Sequence, residues 1–194
     1  MGRQGWGSGL RERLRGMALA ACLLPATPAS PAPPAFQVAR WRPRPGIDLP
    51  DGTRLAARVV GVTDGDTVKA YAPGLPEIRV RLLGIDAPEM GQDYGKVARQ
   101  VLADLVLGRE VILHTHGNDR YGRLLAKILV AGKDVNLALV HEGLAWHYAR
   151  YASTQFPGDA ARYAEAQAAA HASRTGLWSF PHPVPPWDWR RKRR

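Results

Sequence analysis

The alternation of apolar and polar side chains predicts short strands early in the compact part of the chain. Residues 55–62 are rich in Val and Ala and predict a first strand. The Asp64-Gly65 pair predicts a tight turn, and residues 67–71 predict the strand that follows it. Residues 78–83 alternate apolar and basic side chains before becoming apolar, which predicts a third strand with one buried face.

A helical repeat replaces this alternation after Pro88. Apolar side chains recur at three- and four-residue spacing from Tyr94 to Val106, and Gly108 closes the segment. The later pattern predicts two strands and then two helices, over residues 110–114, 124–130, 135–141 and 158–174.

The order of elements is three strands, a helix, two strands and then helices. Short strands with a helix inserted between the third and the fourth indicate a five-stranded barrel of the OB type with about three packed helices. The fold class is therefore α+β, mainly β. An α+β open sheet would give a similar pattern and remains the alternative topology.

Proline marks the limits of this domain. The chain has 16 prolines, and they cluster near both ends, which places the compact domain at residues 49–180. Residues 30–48 are proline-rich without apolar periodicity and are interpreted as an extended linker. Residues 181–194 form a proline- and tryptophan-rich basic tail, which is either a solvated end or a segment that binds nucleic acid or an anionic membrane surface.

Residues 1–29 have the composition of an export signal. Three arginines lie within residues 11–15, and the apolar run over residues 17–24 is too short to cross a bilayer. A small-residue cleavage site after Ala29 predicts a periplasmic or secreted protein. The residues that end at Cys22 also resemble a bacterial lipobox, so a lipid-anchored form is the first alternative. An uncleaved or cytoplasmic form is the second.

Charge and cysteine content narrow the classes of function. The chain carries a formal net charge of +10, which favours polyanionic partners such as phosphate backbones. It has one cysteine, Cys22, which excludes an intramolecular disulfide and a cysteine-based zinc site.

Two aspartates lie at the ends of neighbouring predicted strands. Asp66 starts the second strand just after its turn, and Asp86 lies where the third strand runs out. Two carboxylates held close together repel each other unless a cation lies between them. Hard cations prefer oxygen ligands, and no Cys or His cluster offers a softer site, so the pair predicts calcium or magnesium.

Three further residues complete a pattern suited to phosphodiester hydrolysis. Glu89 follows Pro88 and is placed to orient or deprotonate a water molecule. Arg81 precedes Asp86 on the same strand, and Arg123 begins the fifth strand. Paired guanidinium groups bind a phosphate through charge-assisted bonds and favour the extra charge of a five-coordinate transition state.

The segments around these residues resemble those of the staphylococcal nuclease (thermonuclease) family. The resemblance rests on the four sequences Asp64-Gly65-Asp66-Thr67, Arg81 to Glu89, Asp119-Arg120-Tyr121-Gly122-Arg123 and Gly143 to Tyr151. It runs from about Leu55 to Trp178. It implies an OB barrel with packed helices and calcium-dependent endonucleolytic and exonucleolytic cleavage of DNA and RNA that leaves 3′-phosphate ends.

The resemblance also implies roles for individual residues. Asp66 and Asp86 match the calcium-binding carboxylates, and the backbone carbonyl of Ala87 matches a third calcium ligand. The catalytic set is a general base and two phosphate-binding arginines, namely Glu89, Arg81 and Arg123. Asp64 is interpreted as a turn residue outside the metal set.

Three tyrosines are the candidates for substrate binding. Tyr121 matches a tyrosine that lines the nucleotide pocket of the family, where an aromatic face can hold a base or sugar. Tyr148 and Tyr151 are the candidates for two tyrosines that flank the nucleotide. The alternative for Tyr148 is that it only packs a loop.

A non-catalytic nucleic-acid-binding OB module is the rival function. Degenerate copies of the nuclease domain would lack some of the site residues, whereas this chain retains all of Asp66, Arg81, Asp86, Glu89 and Arg123. The expected partners are therefore DNA and RNA substrates, with no obligate protein partner and a monomer as the default. A membrane is expected as a partner only through a lipid on Cys22.

Overall fold

The computed structural model of the chain describes residues 46–193. The predicted signal, the lipidation site at Cys22 and most of the predicted linker lie outside these residues. The predicted domain and all but the last residue of the basic tail lie within them.

A closed barrel forms the centre of the fold. The described residues contain eight strands, β1 (Arg54–Asp64), β2 (Thr67–Tyr71), β3 (Ile78–Leu82), β4 (Ile85–Asp86), β5 (Glu110–Asn118), β6 (Leu124–Val130), β7 (Lys133–Asp134) and β8 (Trp146–His147). β1 pairs antiparallel with β2 and β5, β2 with β3, and β5 with β6. A parallel pairing of β3 with β6 closes the five-stranded barrel, which confirms the OB fold.

The alternation in β3 explains why this strand lies in the barrel wall. Ile78, Val80 and Leu82 point inward and are almost fully buried, whereas Arg79 is exposed. Each buried aliphatic side chain contributes roughly 1.5–3 kcal/mol of burial free energy. Arg81 lies between two inward positions, and this register directs it to the outer surface at the end of the strand.

Helices cover the barrel. In the described range they are α1 (Gly95–Val106), α2 (Val135–His141), α3 (Asp159–Ala172) and α4 (Pro186–Lys192), with 3₁₀ helices at Ala149–Thr154 and Gly176–Ser179. α1 buries one face through Ala98, Leu102 and Val106. Asp134 caps α2 by accepting a bond from the Leu137 amide, and the Tyr163 hydroxyl of α3 donates to the same carboxylate. This shared aspartate joins α2 to α3.

The predicted elements differ from the observed ones mainly at their ends. β2, β6 and α2 have the predicted bounds. β1 and β5 extend beyond their predicted C-terminal ends, toward the end of the barrel that holds the candidate site. The two-residue strands β4, β7 and β8 are too short to show a period and were not predicted. α4 lies in the segment interpreted as a tail. No helix in residues 46–193 combines the length and apolar character that a membrane crossing requires.

Asn136 is expected to be the polar side chain that matters most for stability. It is fully buried, donates to the Leu83 and Ala126 carbonyls, and accepts a bond from the Ile128 amide. Because orphaned buried polar groups each cost about 1–3 kcal/mol, Asn136→Leu should lower the free energy of unfolding by at least about 3 kcal/mol.

Urea unfolding followed by circular dichroism measures this change. Gln100→Leu is the matched control, since Gln100 is exposed and bonds only to the Asp104 side chain among the described residues. Its effect should stay within about 0.5 kcal/mol. Equal effects of the two substitutions would show that the Asn136 network does not hold the strands.

Candidate active site

One cavity of about 950 Å³ brings the predicted site residues together. It opens at the end of the barrel where the β1–β2 turn, the β3–β4 turn and the β5–β6 turn meet. Its lining includes all nine predicted residues, namely Asp66, Arg81, Asp86, Ala87, Glu89, Tyr121, Arg123, Tyr148 and Tyr151.

The β1–β2 turn is held tightly against the rest of the site. A Cβ atom on Gly65 would lie 2.7 Å from Ala87 Cβ and 2.8 Å from Ala98 Cβ, so only glycine fits this approach. Asp64 Oδ1 accepts the Asp66 amide at 3.1 Å, which agrees with its interpretation as a turn residue. Asp64 also lines the cavity, and burial together with the neighbouring Asp66 raises its pKa to about 6.

Arg81 joins the two aspartates that were predicted to bind a metal. Its Nη2 lies 2.9 Å from Asp86 Oδ1 and 3.1 Å from Asp66 Oδ2. Asp66 Oδ2 also accepts the Ala87 amide at 2.8 Å. Burial raises the pKa of Asp86, which is opposed by its bonds to arginine side chains. The two buried carboxylates thus lie around one positive group.

Arg123 is positioned by an aspartate to which sequence reasoning gave no role. Its Nε and Nη2 both contact Asp119 Oδ2, at 2.7 and 2.6 Å. Burial alone would raise the pKa of Asp119, but the bonds from the Arg123 backbone and side chain lower it below its ordinary value. Asp119 also accepts the Tyr121 amide, and this turn geometry was the signal that could have indicated its role.

Hydrogen bonds connect the two predicted phosphate-binding arginines. Arg123 Nη1 donates to Thr67 Oγ1 at 3.4 Å, and Thr67 Oγ1 donates to Asp66 Oδ1 at 3.1 Å. Asp66 in turn contacts Arg81. The guanidinium groups are therefore fixed relative to each other by a continuous polar path, as a site for one phosphate requires.

Glu89 lies on the loop between β4 and α1. Its amide donates to Gln92 Oε1 at 2.8 Å, and its side chain is about 39% exposed at the cavity wall. A Cβ atom on Gly95 would overlap the Glu89 carbonyl. The start of α1 therefore supports the loop that carries Glu89.

Gly95→Ala is expected to displace this loop and the predicted base that it carries, and so to lower the predicted DNA cleavage by about tenfold or more, since small displacements of a reacting group are costly. The initial rate of DNA hydrolysis measures the effect. Gly91→Ala is the matched control, because a Cβ atom there meets only Arg193 Nη1 at an ordinary 3.5 Å. A Gly95→Ala protein as active as the Gly91→Ala protein would show that the contact with Glu89 is unimportant.

The three predicted substrate-binding tyrosines have different surroundings. Tyr121 is 41% exposed, with the Arg120 guanidinium 4.8 Å and the Arg123 guanidinium 5.6 Å from its ring centroid. Tyr148 and Tyr151 meet edge to face with centroids 4.9 Å apart. Burial and the nearby Asp86 carboxylate raise the pKa of Tyr148. Tyr148 also lines the cavity, so its ring lies at the site.

Helix α4 adds a residue that sequence reasoning missed. Arg190 reaches the cavity and contacts both Asp86 and Glu89, each at 2.7 Å. The predicted domain ended at Phe180, so this arginine was interpreted as part of a basic tail. The signal that could have identified the helix is Pro186 at its first position, where proline is favoured.

The donor atoms of the site fit a hard divalent cation. Within residues 46–193, no cluster of three or more His, Cys, Asp or Glu side chains forms a complete metal shell. Asp66 and Asp86 nevertheless present buried oxygens close together, and positive guanidinium groups already lie against them. A cation with an adaptable oxygen shell, completed by backbone carbonyl and water, matches two carboxylates of this kind.

Comparisons with known proteins place the chain among nuclease relatives. The family model for "Staphylococcal nuclease homologue" matches residues 79–180. Protein ParB of Escherichia coli is 40% identical over 157 residues, which cover 75% of this chain and 85% of that protein. A micrococcal nuclease of Shigella flexneri is 40% identical over 154 residues, covering 75% and 86%. An uncharacterized endonuclease of Haemophilus influenzae is 39% identical over 135 residues, covering 70% and 72%.

Proposed function

Because the chain belongs to the family of staphylococcal nuclease homologues, we propose that it hydrolyses phosphodiester bonds in DNA and RNA with little sequence preference. The proposed reaction depends on calcium, proceeds by endonucleolytic and exonucleolytic cuts, and leaves 3′-phosphate ends. The observation that carries this proposal is the continuous arrangement of Arg123, Asp66, Arg81, Asp86 and Glu89 along one cavity.

The arginines supply the charge stabilisation. Arg81 is anchored by the Leu82 carbonyl at 3.0 Å and by the two aspartates, and Arg123 is anchored by Asp119. Both side chains are largely buried and line the cavity. Fixed guanidinium groups of this kind bind the phosphate and stabilise the negative charge that develops in the transition state without reorganising during the reaction.

Glu89 is the proposed general base. It lies on a loop whose backbone is tied to Gln92 and supported by Gly95. Its carboxylate accepts a proton from the attacking water, which attacks phosphorus in line with the leaving oxygen. As the water oxygen forms the new bond to phosphorus, the bond from phosphorus to the leaving 5′ oxygen breaks, and that oxygen takes up a proton from solvent.

The proposed calcium site consists of Asp66, Asp86 and the Ala87 carbonyl. When bound, a calcium ion supplies Lewis-acid polarisation of the phosphate and places a water molecule near it. Asp66 is fixed for this task by the Ala87 amide and by Thr67. The Asp86 side chain is fully buried, so its oxygens keep one orientation.

The aromatic residues favour nucleic acid without strong base preference. Tyr121 and Tyr151 are both exposed at the cavity, at 41% and 47%, and offer ring faces to a base or sugar. Stacking on an aromatic ring tolerates any base, since every base has a π face. The positive groups around Tyr121 favour a phosphate beside it.

Cleavage assays with the purified full chain test this function. We expect single-stranded DNA, duplex DNA and RNA to be cut with calcium present, and excess chelator to stop the reaction. The products should resist extension by a polymerase until a phosphatase removes a 3′-phosphate. Cleavage that continues in chelator, or products that are extended without phosphatase treatment, would contradict the proposal.

We also propose export, on the basis of the sequence of residues 1–29. Cell fractionation and mass spectrometry of the protein made in a bacterial host test this proposal. A periplasmic or secreted protein that begins at Ser30 supports cleavage after Ala29, and a lipid mass on Cys22 supports the anchored form. Unprocessed protein in the cytoplasm would contradict both.

A further inference from the structure

The C-terminal helix inserts an arginine between the proposed metal ligand and the proposed base. Arg190 Nη2 lies 2.7 Å from Asp86 Oδ2, and Nη1 lies 3.2 Å from Asp86 Oδ1. The same Nη1 donates to Glu89 Oε1 at 2.7 Å. Because an arginine guanidinium stays protonated in proteins, a positive group lies between the two carboxylates.

Both oxygens of Asp86 are therefore occupied by positive groups. Arg81 contacts Oδ1 at 2.9 Å, and Arg190 contacts Oδ1 and Oδ2. A divalent cation bound at Asp86 would lie against these guanidinium groups, and like charges at such distances repel strongly. The cation and the docked Arg190 side chain thus compete for one carboxylate.

Arg190 is the arginine that can leave. The Arg81 side chain is only 11% exposed, and its Nη1 is fixed by the Leu82 carbonyl. The Arg190 side chain is 41% exposed and extends from α4, a helix of seven residues near the end of the chain. The Arg190 side chain can therefore leave Asp86 without a change in the barrel.

The same helix covers an aromatic residue of the site. Trp187 stacks parallel on Tyr148 with ring centroids 5.1 Å apart, and it also packs edge to face on Trp146 at 5.6 Å. One ring face of a tyrosine proposed to flank the nucleotide is therefore occupied by the chain itself. α4 thus contacts the base, a metal ligand and a substrate-binding residue together.

We propose that α4 is an autoinhibitory segment, in which Arg190 occupies the carboxylate site until a divalent cation displaces it. This inference rests on the proposed calcium-dependent function of the site. While Arg190 is docked, it neutralises the buried Asp86 carboxylate and engages Glu89. When the cation replaces it, Glu89 becomes free to accept a proton and Tyr148 can be uncovered.

Calcium binding by the full chain, measured with isothermal titration calorimetry using calcium alone, tests the competition directly. Arg190→Gln should bind calcium at least about tenfold more tightly than the wild type, a difference of ~1.4 kcal/mol. Arg191→Gln is the matched control. It removes the same charge from the same helix, but its side chain is 81% exposed and pairs with Asp188. Its calcium affinity should stay within about twofold of the wild type.

Trp187→Ala provides a second variant that leaves Arg190, Asp86 and Glu89 unchanged. It removes the stacking that docks α4, so it should also tighten calcium binding. Calcium should also raise the melting temperature of the Arg190→Gln protein, and this increase should be larger than the increase that calcium causes in the wild type. The reason is that the Arg190→Gln protein lacks the positive group that compensates the charge of Asp86. The calcium concentration for half-maximal DNA cleavage should fall with the dissociation constant.

Three results would overturn the inference. Equal calcium affinities of Arg190→Gln and Arg191→Gln would show that Arg190 does not compete. A slower reaction of Arg190→Gln at saturating calcium, with unchanged affinity, would make Arg190 a catalytic group. If either of these two results is obtained and the wild type still cleaves DNA with calcium, the proposed function stands and only the inference about Arg190 fails. A wild type that neither binds calcium nor cleaves DNA would contradict both proposals.

Discussion

Replacing Arg81 by glutamine is expected to slow DNA hydrolysis by about 10²–10³-fold, the cost of removing one donor to developing negative charge. Arg81 is the residue that contacts both Asp66 and Asp86. Its loss removes the proposed phosphate-binding group and also the positive charge between the two carboxylates. Because the interaction is made mainly in the transition state, kcat and kcat/KM should fall together.

Single-turnover cleavage of single-stranded DNA at saturating calcium measures this effect. Arg81→Lys should recover little activity, since an ammonium lacks the planar group in which Nη2 contacts both aspartates while Nη1 bonds to the Leu82 carbonyl. Arg58→Gln is the control, because Arg58 is 61% exposed on β1 and forms one long ion pair with Glu110. An Arg81→Gln protein with the rate of the Arg58→Gln protein would remove Arg81 from the mechanism.

Replacing Glu89 by glutamine is expected to lower kcat by about 10²–10⁴-fold, the usual contribution of a positioned general base. Glutamine keeps the size of the side chain but cannot accept the proton of the attacking water. The barrel should be unaffected, because Glu89 is partly exposed, its amide contact with Gln92 involves only the backbone of residue 89, and its side chain bonds to Arg190 of α4. Initial rates at saturating DNA and calcium measure the change.

Two other variants make this result specific. Glu89→Asp keeps a carboxylate that is one methylene shorter, and it should retain more activity than Glu89→Gln. Glu77→Gln removes a carboxylate that pairs with Lys69 at 3.6 Å on the barrel surface, and it should cleave DNA at the wild-type rate. If Glu89→Gln also matched the wild type, another group would have to be the base.

The barrel could be predicted because its strands carry a strong period. Val68 in β2, Val80 in β3 and Ile128 in β6 are all fully buried at inward-facing positions of their strands. Burial of such side chains dominates the free energy of folding. The pairing of β4 with β8 could not be predicted in this way. Each of these strands has two residues, and their pairing places Asp86 opposite Trp146 through tertiary contacts alone.

The candidate site was predictable where chemistry and local sequence coincide. Asp66 directly precedes β2 and Asp86 lies just beyond the end of β3, so their proximity followed from the predicted pairing of neighbouring strands. Arg190 is different, because it is 104 residues from Asp86 and lies in a segment whose composition resembles a solvated basic tail. Its position depends on the docking of Trp187 against Tyr148, which no local pattern encodes.

The most direct test of the central claim compares the wild type with an Arg81→Gln/Glu89→Gln double variant, in DNA binding and in DNA cleavage with calcium. We predict that the wild type cuts DNA when calcium is present and stops when it is chelated, whereas the double variant still binds DNA without cutting it. A wild type that binds DNA but does not cut it with any divalent cation would contradict the account and indicate a non-catalytic binding module.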